Sequence, residues 1–191
     1  MTKQDKPALI LIDIQKGFEE EDIEYWGGHR NNPKAETNAS KLLNYWRQNN
    51  LPIFHIQHCS TNPNSKFAEG NAGNDFQEIV QPKEGEQVIK KSVNSAFIGT
   101  DLKQQLDKLN IKKLIIVGLT TDQCVSTSVR MAGNYGYDTF VVSDATAAFE
   151  KVGADGQKYS AEIIHETSLV SLHKEFATVI KTDEVITKLD K

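Results

Sequence analysis

The sequence predicts a three-layer α/β/α domain built on a mostly parallel sheet of roughly six strands. Three observations predict it. Short apolar runs alternate with segments of helical spacing along the whole chain. Several of those runs are almost continuously apolar, as strands are when helices cover both faces of their sheet. The chain has 191 residues, which suits one such domain and is too short for two. Residues 1–191 are therefore read as a single domain.

The elements follow in order. "ALILIDI" (8–14) reads as a buried strand, and 32–50 as a helix with Pro33 in its first turn, where a missing N–H costs nothing. Ala35, Ala39, Leu42, Leu43 and Trp46 recur in that helix at spacings of three and four. "PIFHIQH" (52–58) and "QVIKK" (87–91) are the next strands. A helix over 99–110 is capped by Thr100, and "KKLIIVGL" (112–119) is the fourth strand. A helix over 121–136 ends near Gly136, and strand 138–145 follows it. The last elements are a helix over 156–175, a strand over 177–181 and a helix over 182–189 capped by Thr182. Residues 59–86 break the rhythm, and a loop of that length in a compact domain predicts a lid, a binding loop or a contact surface.

Composition narrows the function. Charged residues make up 25% of the chain, the net charge is −4, and no basic cluster suggests nucleic acid. No apolar run approaches the ~20 residues of a membrane span. The opening segment lacks the pattern of a signal peptide, so a cytoplasmic protein is expected. The two cysteines, Cys59 and Cys124, are expected to be free thiols, and no C-x-x-C is present to suggest zinc or thioredoxin-type chemistry.

Ligands in open parallel sheets bind beyond the carboxyl ends of the strands. Asp13, His58, Lys91 and Asp144 end strands there, and Cys124 opens the helix after the fourth. Each has a bland reading beside the chemical one. Asp13 serves equally as a structural carboxylate, Lys91 as a solvated cation, Cys124 as a small core residue. Together they form an acid, a cation and a thiol at one edge. A helix N-terminus and a neighbouring ammonium would lower the thiol pKa. Asp13 would accept the thiol proton and return it to a leaving amine. Backbone N–H groups before Cys124 would bind the oxyanion.

Three motifs occur in order: "LIDIQKGF" (11–18), "KKSVNSAFIGTDL" (90–102) and "IVGLTTDQCVSTSVRMAGNYGYDTFVVSDATA" (116–147). In these the chain resembles the isochorismatase-like cysteine hydrolases, the superfamily of nicotinamidases and N-carbamoylsarcosine amidases. The resemblance covers residues 8–180. It implies a catalytic triad of Asp13, Lys91 and Cys124, with Lys91 preferred to Lys90 because it stands four residues before Ser95. It implies a cis peptide between Leu119 and Thr120, and an oxyanion hole formed by the N–H groups of Thr120 and Cys124. Gln15, Phe18 and Phe97 are expected to shape the pocket, with His58 contacting substrate and Asp144 ordering a loop.

The sequence also departs from that pattern. Nicotinamidases carry an Asp-x-His and a further His that bind a metal, whereas this chain reads "HIQHCSTNPN". His55 and His58 are three apart on a strand and face opposite sides, so His55 is expected to be packed and no metal or cofactor is expected. Isochorismatases that cleave a vinyl ether commonly lack the cysteine. The expected reaction is therefore cysteine-dependent hydrolysis of a small amide, carbamoyl, ureido or lactam C–N bond. The alternatives are a vinyl-ether hydrolase, a non-catalytic oligomeric binding module, and a thiol redox protein should Cys59 reach Cys124. Phe67, Phe76, Ile79 and Val80 in the 59–86 segment need something to pack against. They predict a loop that lines the pocket and approaches a partner chain in a homo-oligomer, a dimer or tetramer.

Overall fold

The computed structural model describes residues 1–19 and 25–191. Residues 20–24 lie outside the described residues. A six-stranded sheet runs through the centre in the order β3-β2-β1-β4-β5-β8. Its strands are β1 (Ala8–Ile12), β2 (Ile53–His58), β3 (Gln87–Lys91), β4 (Lys113–Leu119), β5 (Asp138–Ala147) and β8 (Thr178–Ile180), and every pairing is parallel. A two-stranded antiparallel hairpin, β6 (Lys151–Val152) and β7 (Lys158–Tyr159), stands apart from it.

The inner strands β2, β1, β4 and β5 are largely buried on both faces, which is why they read as apolar runs, while the edge strand β3 exposes Val88 and Lys90. Ile10, Ile12, Leu114 and Ile116 point into one core, while Leu9, Leu11, Ile115 and Val117 point into the other. The first core is closed by α2 (Leu102–Lys108), α3 (Ser126–Asn134) and α4 (Ala161–Leu172), through Leu102, Leu106, Val129, Leu169 and Leu172. The second is closed by α1 (Ala35–Gln48) and α5 (Thr182–Leu189), through Leu42, Leu43, Trp46, Val185 and Leu189. The three-layer architecture expected from the sequence is the one observed.

Strand order sets the position of the site. Chain direction across the sheet reverses between β1 and β4, the switch point at which a doubly wound sheet opens a crevice. At this seam the strands approach very closely. Gly118 has φ +117°, and a Cβ there would lie 2.0 Å from the Ile12 carbonyl oxygen. Only glycine satisfies both constraints.

Helix ends differ from expectation in three places. The helix expected from 156 begins at Ala161, because the preceding residues form the β6–β7 hairpin; Ser160 caps it by accepting from the Ile163 N–H. Thr100 caps nothing, and its hydroxyl donates to the Ala96 carbonyl. Thr182 lies inside α5, with its N–H and hydroxyl both donating to Asp144 Oδ1 at 2.9 and 2.8 Å. Asp144 thus ties β5 to α5.

The 59–86 segment is held by its own side chains. Phe67, Phe76 and Val80 are buried, whereas Ile79 is 44% exposed. Asn74 donates from its amide to the carbonyls of His58 and Phe67, both at 2.8 Å. The end of the segment is anchored by Glu86. This carboxylate accepts from Arg47 of α1 at 2.7 and 2.9 Å, from the Lys83 N–H at 3.0 Å, and lies 2.8 Å from His55 Nε2. Burial alone would raise its pKa, but these hydrogen bonds and the Arg47 charge outweigh burial and hold it down to about 2.

A carboxyl held below its ordinary 4.5 contributes stability that is fully present above that value and is lost as pH falls toward about 2. Glu86→Gln is expected to cost about 2–3 kcal/mol in urea unfolding at neutral pH, the scale of hydrogen bonds to a charged group. It should also flatten the pH dependence of unfolding between pH 4.5 and 2. An unchanged acid profile would show that Glu86 is not the anchor.

Candidate active site

Three strand ends and one turn bring the site together. Asp13 follows β1 in the left-handed region at φ 51°, a conformation that Asp tolerates better than most residues. His58 and Lys91 are register partners at the ends of β2 and β3. After β4 the Leu119–Thr120 peptide is cis, as the resemblance implied. The chain then enters a wide π-helical turn, Thr121–Val125, closed by a hydrogen bond from the Val125 N–H to the Thr120 carbonyl at 3.2 Å. Cys124 therefore lies in this turn, just before α3, rather than in the first turn of a regular helix.

The side chains converge on one cation. The Lys91 ammonium donates to Asp13 Oδ2 at 2.7 Å, to His58 Nδ1 at 3.0 Å and to Cys124 Sγ at 3.3 Å. An ammonium has three N–H bonds and no lone pair, so all its donors are used. It also follows that His58 Nδ1 is the acceptor and the imidazole proton sits on Nε2. Burial and the Lys91 charge both push the His58 pKa down, in keeping with a neutral ring. Lys91 and Asp13 are almost wholly buried, at 0% and 1% side-chain exposure, so each is the other's principal compensation.

The thiol departs from expectation. Burial raises the Cys124 pKa, the Asp13 charge raises it further, and Lys91 only partly opposes them. Both effects favour the protonated thiol at rest. The nearby ammonium does lower the pKa, but burial and the Asp13 charge outweigh it. Asp13 Oδ1 has no hydrogen-bond partner among the described residues. A buried carboxylate oxygen beside a protonated thiol is an acceptor for that proton.

The cleft above the thiol is small, about 180 Å³. Aromatic rings of Phe18, Tyr25, Trp26 and Phe67 line it, with Ser65, Asn94, Thr120 and Gln123 supplying polar atoms. Phe18, Trp26 and Phe67 pack edge or tilted against one another at centroid distances of 4.6 to 5.2 Å. Larger hollows exist, one of about 560 Å³ beside Arg30, but there Arg30 and Glu36 are spent on one another at 2.6 Å.

Of the pocket residues expected from sequence, Phe18 and His58 line the cleft and two do not. Gln15 is fully buried, and its amide donates to the carbonyls of His58 and Asn74 while its oxygen accepts from the His58 N–H. It braces the backbone and keeps no polar atom for a ligand. Phe97 packs into the core beside Tyr135 and Tyr137 at 5.6 and 6.2 Å. His55 is buried against Phe76 and bonded to Glu86, so the two histidines do not converge on a metal. Tyr25, Trp26, Asn94 and Gln123 were not singled out from the sequence. Phe67 was expected there as part of a loop that lines the pocket, and its ring does line the cleft.

A doubly wound parallel domain with a thiol, a carboxylate and an ammonium at its switch point defines the class. The chain belongs to the isochorismatase family: the isochorismatase domain profile matches residues 7–184. YrdC of Bacillus subtilis, an isochorismatase-family protein, is 48% identical over 96% of each chain. A solved structure of an isochorismatase-family protein from Chromobacterium violaceum superposes with a TM-score of 0.92 at 39% identity, covering 97% of this chain and 94% of that one. Nicotinamidase 3 of Arabidopsis thaliana is 27% identical over 93% of this chain and 86% of its own, and maleamate amidohydrolase of Pseudomonas putida 24% over 96% and 87%. The chain is thus an isochorismatase-family hydrolase. Among the described residues no helix is long and apolar enough to cross a membrane.

A thiol held neutral by burial and by Asp13 makes a counterintuitive prediction. In Asp13→Asn the negative charge is gone and Lys91 is left to stabilise a thiolate. Alkylation of Cys124 by iodoacetamide at neutral pH should rise roughly tenfold, the effect of about one pKa unit. Peptide mapping by mass spectrometry reads this, with Cys59 as internal reference. A fall in Cys124 alkylation would contradict the charge balance described here.

Proposed function

We propose that the protein hydrolyses a C–N bond in a small amide, carbamoyl, ureido or lactam substrate, with Cys124 as nucleophile and a thioester as intermediate. The observation that carries this reading is the Lys91 ammonium bridging Asp13 Oδ2 and Cys124 Sγ at the floor of a cleft. The named activities of the nicotinamidase and maleamate amidohydrolase relatives support it, since both break amide bonds.

The geometry supports the following steps. A substrate carbonyl enters beneath the aromatic walls and meets Sγ. Asp13 Oδ1 takes the thiol proton as sulfur attacks the carbonyl carbon, so no free thiolate need persist in a buried site. The carbonyl oxygen becomes an oxyanion, received by the N–H groups of Thr120 and Cys124. Asp13 returns its proton to the leaving nitrogen, the C–N bond breaks, and the thioester remains. Water then attacks the thioester with Asp13 again as base, and the acid product leaves with the thiol restored. Lys91 changes no bond; it keeps a matching positive charge beside Asp13 while the proton comes and goes.

The small cleft selects compact substrates, and its four aromatic rings favour a flat or apolar group beside the scissile bond. A vinyl-ether substrate would leave the thiol without a role. We further propose a cytoplasmic homo-oligomer, with Ile79 at the partner contact because it alone of the four apolar side chains of the 59–86 segment stays exposed.

An ammonia-release screen over primary amides and ureido acids, with lactam ring opening followed by the amine it exposes, tests the reaction, with Cys124→Ala as blank. Cys124→Ala should abolish turnover with the fold intact, and Cys124→Ser should lose roughly a thousandfold or more, because a hydroxyl of ordinary pKa is a poor nucleophile. EDTA should leave the rate unchanged. Full activity in Cys124→Ala would remove the thiol from the mechanism. Light scattering tests the assembly, and a monomer near 21.4 kDa would refute it.

A further inference from the structure

Asp13, His58 and Cys124 each offer one ligand atom, and these three atoms lie within 4.8 Å of one another. They are an oxygen, an imidazole nitrogen and a sulfur, the donor set that suits zinc and similar borderline cations. The Lys91 ammonium stands between them, within 3.3 Å of all three residues. The site is built around a cation, and the resident cation is an amino-acid side chain.

We propose that Asp13, His58 and Cys124 form a latent binding site for a thiophilic divalent cation such as Zn²⁺, kept closed by Lys91, so that such a cation is a reversible inhibitor at the catalytic thiol. In a tetrahedral zinc site the donors stand ~3.3–3.8 Å apart, given bond lengths of ~2.0–2.3 Å. The three groups need to contract by about 1.0–1.5 Å at most from their 4.8 Å limit. The neutral His58 ring already turns its Nδ1 lone pair inward, and Asp13 Oδ1 is unpartnered among the described residues. Water would complete the coordination from the cleft. Binding replaces the thiol S–H bond with an S–metal bond, and the proton goes to buffer. The fully buried Lys91 side chain must withdraw or lose a proton to buffer, because a divalent ion and an ammonium repel strongly at this distance. That requirement makes the wild-type site weak, and it makes Lys91 the residue that excludes metal.

Co²⁺ added to the metal-free full-length chain reads the site through thiolate-to-cobalt absorption. Lys91→Met is expected to bind Co²⁺ roughly tenfold or more tightly than wild type, since a neutral side chain removes the competing charge. The absorption should vanish when Cys124→Ala is added and persist when Cys59→Ala is added. Equal Co²⁺ affinity in wild type and Lys91→Met, or a band that follows Cys59, overturns the proposal. Should circular dichroism show that Lys91→Met does not fold, the wild-type chain decides. Zn²⁺ in large excess should slow iodoacetamide alkylation of Cys124 and not of Cys59, with EDTA restoring the rate; unchanged Cys124 alkylation overturns the proposal. Neither readout needs turnover. A failure here leaves the hydrolase reading standing, and a chain that releases no ammonia still reports on the site.

Discussion

The buried ion pair between Lys91 and Asp13 is the interaction on which the rest of the site depends. Two opposite charges have been taken out of water and left at 2.7 Å, with almost no exposure on either side. Such a pair gains little stability over apolar packing, and losing one member leaves the other stranded at large cost. Its value is chemical. In the proposed mechanism a proton passing from Sγ to Asp13 moves the negative charge onto sulfur, and the ammonium, in contact with both groups, pairs with it there. His58 and Cys124 complete the coordination of that ammonium and are oriented by it.

The surroundings can be understood as supports for this pair. Gln15 ties the backbone after β1 to the end of β2, and Asn74 ties the end of β2 to the 59–86 segment. Gln15 also donates to the Asn74 carbonyl at 2.7 Å, so three stretches of chain share one amide network beneath the cleft. The network fixes Phe67 through its carbonyl, and Phe67 in turn walls the cleft against Phe18 and Trp26. Polar side chains that resemble binding residues in the sequence are here consumed in holding the aromatic ones.

The sheet was legible in the sequence because its inner strands are buried on both faces. "ALILI" and "KLIIVGL" have no competing helical or loop reading, and their positions hold within a residue or two. Asp13, Lys91 and Cys124 were legible because motif spacing and strand ends point the same way. What was not legible depends on contacts distant in sequence. Thr182 reads as a cap, yet the acceptor at that helix end belongs to Asp144, 38 residues earlier. Phe97 lies two residues from Ser95 in a motif, but its ring joins a core assembled from α2, α3 and the chain around Tyr137. Trp26 and Tyr25 reach the cleft from a stretch with no local pattern to announce it. The charge state of the thiol is a sum over burial, Asp13 and Lys91, and no single neighbour predicts its sign.

The close seam between β1 and β4, where Gly118 meets Ile12, divides the molecule chemically as well as geometrically. Asp13, His58 and Lys91 belong to the half of the sheet built from β1, β2 and β3; Thr120 and Cys124 follow β4, on the other half. The carboxylate and the cation thus come from the first part of the chain, and the thiol from the second. A cut in the connection near Asn110, between α2 and β4, would give one fragment with a charge pair and no thiol, and another with a thiol and no base. Under the proposed mechanism neither fragment would hydrolyse substrate. Activity would belong to their reassembly, with one glycine-lined seam as the contact that switches it on, which suits this fold to use as a split enzyme.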